Sequence, residues 1–275
     1  MTDPHTALDA IGMLPDTEID IAEAALQLAR VDAPDADCER ARRQLSLLAR
    51  DTVAAAGRIA QDELPARAAV LERVIAERHG FRGDTESYDD PANANLIRVV
   101  ERRRGLPVAL GVIWLHCART AGWDAHGIDF PGHFLLALEG SGKQCVLDVF
   151  AGGRRMEAPA LRKLLKSIEG AKAELRPGLL QPMSTRGVLL RLQQNIKARR
   201  LGIGDLRGAL TCAENMLRVA PDHAPLWRES GLLHQRLDEI GDALRCFERF
   251  VELVPSGEAA ARARLSIDEL RARLH

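Results

Sequence analysis

The sequence predicts an α+β domain with a small antiparallel sheet, followed by an all-helical repeat module. Three observations support this fold class. Apolar residues recur at helical spacing over the first 122 residues, two short apolar runs flank a glycine-containing turn near residue 140, and a pattern with a period of 34 residues fills the C-terminal part. We therefore expect two domains, at residues 1–180 and 184–275, the second ending in a capping helix.

Helices are predicted where apolar residues recur every three or four positions, at 19–30, 38–56, 66–79, 93–101 and 107–121. Pro107 marks the start of the last of these, because proline is favoured at the first helical position, where its missing N–H would have no intrahelical partner. Gly80 and Gly122 each follow a predicted helix directly and are expected to end it.

A β-hairpin is predicted from the apolar runs at 133–138 and 145–150. If Gly140 and Ser141 are the two turn residues, the register places His133 directly opposite Asp148. Opposed side chains have Cβ atoms roughly 4.5–5.5 Å apart, close enough for a carboxylate to orient an imidazole. The same register turns Cys145 to the other face of the hairpin.

Tetratricopeptide repeats are predicted from the 34-residue period, since Ala209, Cys212 and Pro221 recur as Ala243, Cys246 and Pro255. The motif positions of the second repeat are Trp227, Gly231, Ala243, Phe247 and Pro255. The first repeat is weaker, because Gln193 and Lys197 stand where the motif has tryptophan and glycine. Residues 259–274 are expected to form the capping helix.

Composition excludes several classes of function. A formal net charge of −1 provides no broad basic surface, so we expect neither nucleic acid nor a membrane as partner. The five cysteines are odd in number and show no C-x-x-C spacing, which argues against disulfides and zinc. No histidine cluster accompanies His133, and the N-terminus lacks the features of a signal peptide. We expect a cytoplasmic protein with no metal and no cofactor.

Several motifs together resemble a known family. The stretches are Gly80-Phe-Arg-Gly-Asp84, Tyr88, Asn93, Arg104-Gly-Leu-Pro107, Phe130-Pro-Gly-His-Phe134 and Leu147-Asp-Val-Phe150. They are similar to the SirB-type proteins, a bacterial branch that joins a transglutaminase-like (papain-like) domain to C-terminal tetratricopeptide repeats. The resemblance implies a Cys-His-Asp triad near Pro107, His133 and Asp148. In this chain, as is typical of that branch, the first position is not cysteine.

The residues singled out for a site are therefore a residual catalytic pair and a set of possible binding residues. His133 and Asp148 form the pair, and no residue is assigned as a nucleophile. The loop at 82–91 is polar and rich in turn formers, and functional residues are over-represented on such loops. The binding candidates, with the loop residue Asp84 beside them, are Arg82, Tyr88, Asn93 and Pro107.

Four explanations of the pair stay open. The domain could be a catalytically silent scaffold that binds a protein or peptide, which makes it a non-enzyme. It could be a thiol enzyme that uses Cys117 or Cys145, although Cys117 lies roughly 15 Å beyond the helix start. It could be a hydrolase in which the pair activates water or holds a metal ion. Finally, His133 and Asp148 could be hydrogen-bonded for purely structural reasons.

Overall fold

The computed structural model describes residues 3–57, 59–60 and 63–273. Twelve α-helices lie in this part of the chain: α1 (Pro4–Gly12), α2 (Ile21–Asp32), α3 (Cys38–Ala56), α4 (Leu64–Leu71), α5 (Leu96–Arg102), α6 (Pro107–Thr120), α7 (Ala158–Glu169), α8 (Thr185–Gly202), α9 (Leu206–Val219), α10 (Ala224–Arg236), α11 (Ile240–Leu253) and α12 (Glu258–Ala272). The strands of the same residues are β1 (Arg82–Gly83), β2 (Arg104–Gly105), β3 (Asp124–Phe130), β4 (His133–Gly140), β5 (Lys143–Asp148), β6 (Arg154–Arg155) and β7 (Pro182–Met183).

The chain divides into two compact units, which differ from the predicted domains in two places. Residues 15–192 form one unit, and residues 3–14 with 193–273 form the other. Helix α1 thus packs with the repeats, and the boundary falls inside α8. The α+β class with an antiparallel sheet followed by helical repeats is confirmed, while the division near residues 180–184 stays a prediction.

Helix α6 is the centre of the unit formed by residues 15–192. Its residues from Pro107 to Leu115 are all buried, and helices α2, α3 and α5 pack around it. A helix that is apolar on all sides must be enclosed by other elements. The surrounding helices begin where the sequence supplies capping side chains, with Asp20 before α2, Asp37 before α3 and Asn95 before α5.

The sheet has five strands in the order β6-β5-β4-β3-β7, and every neighbouring pair is antiparallel. One face packs on α6, where Gly111 leaves room for the Phe134 ring. The other face, which includes Leu135, packs on Leu161 and Leu165 of α7. Strand β3 was not predicted from the sequence, and the structure shows it paired with β4 over its whole length. Gly127 interrupts the apolar pattern of β3 and hides the strand.

The predicted register of the hairpin is wrong by two residues. The turn consists of Ser141 and Gly142, both with positive φ, rather than Gly140 and Ser141. Leu136 pairs with Leu147 and Leu138 with Cys145. Because the shift is even, each side chain stays on its predicted face, so Cys145 does point to the face opposite His133.

The second unit contains the repeat helices as predicted, with α12 in the place of the capping helix. At Gly231 a Cβ would lie 2.9 Å from the Phe247 ring, so this motif glycine permits α10 and α11 to approach closely. Helix α1 packs on α9, and Asp9 and Arg218 form an exposed ion pair between the two helices, at 2.7 and 2.8 Å. None of the helices in the described residues is long and apolar enough to cross a membrane.

Candidate functional site

His133 and Asp148 are hydrogen-bonded, as predicted. Nε2 of His133 lies 3.0 Å from Oδ1 of Asp148. The prediction that these two residues lie directly opposite each other is wrong, however. The observed pairing of Leu136 with Leu147, extended by one residue, places Asp148 across from Leu135. The two residues are diagonal neighbours on one face of the hairpin, a relation that still brings a long side chain within reach of its neighbour.

Asp148 is held as a buried carboxylate. Its Oδ1 also accepts the backbone N–H groups of Phe150 and Ala151, at 3.1 and 3.2 Å, and Arg154 lies 3.7 Å from Oδ2. Burial is the largest influence and acts to raise the pKa of Asp148. The hydrogen bond to His133, its charge, the Ala151 N–H and Arg154 all act to lower this pKa. Together they outweigh burial, so the pKa falls below its usual value. Asp148 is therefore ionised at neutral pH.

The hydrogen bond fixes the tautomer of His133. An ionised carboxylate can only accept, so Nε2 must carry the proton, and Nδ1 of the neutral ring is left with a lone pair. Nδ1 makes no hydrogen bond within the described residues, and it is not among their buried atoms without a partner. A histidine oriented in this way by a carboxylate has the form of a general base.

An aromatic ring adjoins His133, and a second ring packs on the first. The ring of Phe150 meets the His133 ring edge to face at 6.3 Å, and Tyr88 meets Phe150 at 5.9 Å. Gly83 makes room for Phe150, since a Cβ there would lie 2.6 Å from its ring. Tyr88 is 44% exposed. Phe150 thus lies between Tyr88, a predicted binding residue, and the His133–Asp148 pair.

Arg191 is a site residue that the sequence analysis missed. Its Nη2 donates a 2.9 Å hydrogen bond to the His133 carbonyl, and its Nη1 pairs with Asp129. Burial lowers the pKa of Arg191, and the nearby Tyr88 partly offsets this. Arg191 comes from α8, far along the chain from β4, so no local pattern could have indicated it.

The loop before α5 is organised by Asp84, which acts as an internal anchor. Its carboxylate accepts the Glu86 and Ser87 backbone N–H groups at 3.1 and 2.9 Å, the Ser87 hydroxyl at 2.8 Å and Arg102 Nη2 at 3.1 Å. The Ser87 N–H is the largest influence on the pKa of Asp84, which falls to about 2 despite burial. Asn93 is also buried and donates to the Ser87 carbonyl at 2.6 Å.

The start of α6 lies beside this loop. The Leu106 N–H donates to the Asn93 carbonyl at 2.9 Å, so Asn93 and Pro107 adjoin, and both are buried. Arg82 has an exposed side chain and pairs through its backbone with β2. The side chain that contacts α6 is Phe134, which alternates with His133 along β4. That Pro107 lies near His133 and Asp148, as the resemblance implies, stays a prediction.

Cys117 and Cys145, the two cysteines considered as alternative nucleophiles, are poor ones. Cys117 is fully buried, and burial raises the pKa of its thiol to about 12. Burial likewise raises the pKa of Cys145, which lies on the face opposite His133. A thiol must ionise to attack, so both positions disfavour thiol chemistry.

Comparison with known proteins places the chain in a family. Residues 36–194 match the profile of the transglutaminase-like superfamily, and residues 196–268 match a tetratricopeptide-repeat profile. A Xylella fastidiosa protein named "UPF0162 protein" is 32% identical over 195 residues, which are 70% of this chain and 69% of the relative. A Vibrio cholerae protein of the same name is 28% identical over 252 residues, which are 92% of this chain and 93% of the relative. Menin, a solved structure, is 10% identical with a TM-score of 0.41, over 98% of this chain and 75% of menin. The profile match covers more than half of the sequence, so the chain belongs to the transglutaminase-like superfamily.

Proposed function

We propose that this protein is a SirB-type member of the superfamily whose transglutaminase-like domain is catalytically silent and acts by binding a protein or peptide. The observation that carries the proposal is the start of α6, which reads Gly105-Leu106-Pro107-Val108. An acyl intermediate needs a thiol, hydroxyl or amine side chain, and these four residues have none. The burial of Cys117 and the position of Cys145 on the face opposite His133 support the same proposal, because neither thiol is placed to act as the nucleophile.

Binding is supported by the surroundings of the pair. Tyr88 combines an exposed edge with a ring that rests on Phe150, and tyrosine is enriched at interfaces because its ring is apolar and its hydroxyl polar. Arg82 is exposed in the strand whose next residue, Gly83, contacts Phe150. These side chains offer a partner an aromatic surface and a cation. Tetratricopeptide repeats commonly mediate protein interactions, which supports the same role. We place this activity in the cytoplasm, without a cofactor.

A second candidate function is a slow hydrolysis. The observation that favours it is that Asp148 orients His133 through Nε2, while Nδ1 makes no hydrogen bond within the described residues. Such a pair can take a proton from water, although it lacks the covalent step that a nucleophile supplies. The two functions differ in what they require: hydrolysis needs the imidazole as a base, while binding needs the surface formed by Tyr88, Phe150 and Arg82.

The test measures both activities on the purified full chain. Amine incorporation into glutamine peptides and cleavage of acyl-ester probes are followed before and after alkylation, and peptides from a displayed random library are selected on the same protein. We expect no thiol-dependent turnover. Selected peptides should bind the Tyr88→Ala variant at least about tenfold more weakly, because one interface aromatic commonly contributes that much.

The controls separate the explanations. Glu252→Ala, which changes an exposed residue of the other unit, should leave peptide binding unchanged. Turnover abolished by alkylation and by Cys117→Ala or Cys145→Ala would contradict a silent domain. Turnover that survives alkylation but disappears in His133→Gln would instead favour water activation. Selected peptides that bind wild type and Tyr88→Ala equally would exclude the proposed surface.

A further inference from the structure

Three metal-ligating side chains converge in the second tetratricopeptide repeat. They are His234 near the end of α10, Glu239 in the turn that follows, and Asp242 in the first turn of α11. Their ligand atoms all lie within 4.8 Å of one another. We propose that these residues form a binding site for one divalent transition-metal ion, with Zn²⁺ as the preferred ion.

The geometry needs only a small adjustment to hold zinc. Nδ1 of His234 is 2.8 Å from Oε2 of Glu239. Tetrahedral zinc with bonds of about 2.1 Å places neighbouring ligand atoms about 3.4 Å apart, so side-chain rotations that move the two carboxylates by roughly 1 Å suffice, since the ligand atoms already lie within 4.8 Å of one another. Three protein ligands leave the fourth position for water.

A fourth residue, Glu214, lies beside the second ring nitrogen of His234. Oε1 of Glu214, on α9, lies 3.7 Å from Nε2 of His234, the ring nitrogen not directed at Glu239. Metal-bound histidines usually donate their second ring N–H to a carboxylate, which fixes the tautomer and makes the ligand more basic. Glu214 is placed to take this role when Nδ1 binds the ion.

The repeat departs from its motif at this place. The motif reads W-x2-L-G-x2-Y, and here Ser230 replaces the leucine and His234 replaces the tyrosine. Both line a cavity of about 580 Å³ together with Asp242. Ser230 is fully buried, and its hydroxyl has no hydrogen-bond partner within the described residues. An unpartnered buried hydroxyl is costly, so a polar occupant of the cavity, such as metal-bound water, accounts for it.

The present partners of the carboxylates can be displaced. Arg207 pairs with Glu239 at 2.6 Å and Arg245 pairs with Asp242, but their side chains are 62% and 71% exposed. Exposed ion pairs contribute little, so a divalent ion competes easily with both arginines. The imidazole ligand favours zinc over magnesium or calcium, which prefer oxygen alone. His234, Glu239 and Asp242 match no common sequence motif, and the expectation of no metal site was built on His133 and the cysteines.

A bound ion would join α10 to α11 across the turn and stabilise the repeat. The test uses the full chain stripped of metal with a chelator. Titration calorimetry with zinc chloride should give one site per chain, the melting temperature should rise with zinc, and millimolar Mg²⁺ should not compete. Cobalt(II) should bind at the same site and give visible absorption bands.

Substitutions locate the ion. His234→Gln should lower zinc affinity at least about 100-fold, and Glu214→Gln by roughly 10- to 100-fold. His223→Gln is the matched control, because this exposed histidine precedes the same helix and makes no capping bond. If His234→Gln does not fold without metal, Asp242→Asn gives the same comparison at a partly exposed residue. His223→Gln should bind zinc as tightly as wild type. Wild type that binds no zinc, or a His234→Gln or Asp242→Asn variant that binds it as tightly as wild type, would overturn the proposal.

Discussion

Replacing Gly111 with alanine should destabilise the unit formed by residues 15–192, although alanine is the better helix former. A Cβ at Gly111 would lie 2.1 Å from Cε1 of Phe134 and within 2.9 Å of two further ring atoms. The ring cannot move away, because Gly127 confines its other side, where a Cβ would lie 2.7 Å from it. The new methyl group must therefore push α6 away from the sheet.

The magnitude follows from two opposed effects. Alanine in place of glycine favours a helix by about 1 kcal/mol. Overpacking a rigid core costs typically 1–3 kcal/mol, and the upper value applies here because the contact is so short and the ring is confined on both sides. The net loss is about 2 kcal/mol. For a unit of this size it corresponds to a fall in melting temperature of roughly 4–8 °C.

Urea unfolding followed by circular dichroism measures this loss. Gly241→Ala is the control, because the nearest atom to its new Cβ is the flexible end of Arg245 at 3.8 Å; this variant should be neutral or slightly more stable. The double variant Gly111→Ala/Phe134→Leu should lose less than the two single losses added, since leucine relieves the contact. A Gly111→Ala protein as stable as wild type would refute the packing argument.

Three further predictions follow from buried groups. Cys117, with a thiol pKa of about 12, should resist iodoacetamide at pH 8 in the native protein and react when unfolded; mass spectrometry that finds equal rates would contradict its burial. Asp84→Asn should cost stability at pH 6, and because the pKa of Asp84 is lowered from 3.8 to about 2, this difference should be full above pH 4 and shrink as pH falls through 2; a difference independent of pH would exclude the charge as the cause. Glu229→Ala leaves the fully buried Lys197 unpaired; removing one partner of a fully buried pair costs about 3–5 kcal/mol, and because Glu229 is 37% exposed we expect a smaller loss of about 2 kcal/mol in urea unfolding. Glu252→Ala, which breaks an exposed pair, should cost almost nothing; equal losses would show that burial of Lys197 is unimportant.

Local patterns in the sequence were enough for most helices and for the class of the fold. The start of α6 at Pro107, the cap at Gly80 and the 34-residue repeat depend on neighbours a few positions apart or on a fixed period, so they can be read from the chain. The hydrogen bond between His133 and Asp148 was also predictable, because an even error in register leaves both residues on the same face of the hairpin.

Contacts distant in sequence were decided by tertiary structure alone. Strand β3 alternates apolar and polar residues only imperfectly because it contains Gly127, and it becomes a strand because β4 and β7 pair with it on both sides. Arg191 reaches the carbonyl of His133 only because α8 runs beside the sheet. The convergence of His234, Glu239 and Asp242 with Glu214 likewise depends on how α9, α10 and α11 pack. Sequence periodicity reports which face of an element is apolar, but it carries no information on which distant element will cover that face, and the residues of a site are brought together by that choice.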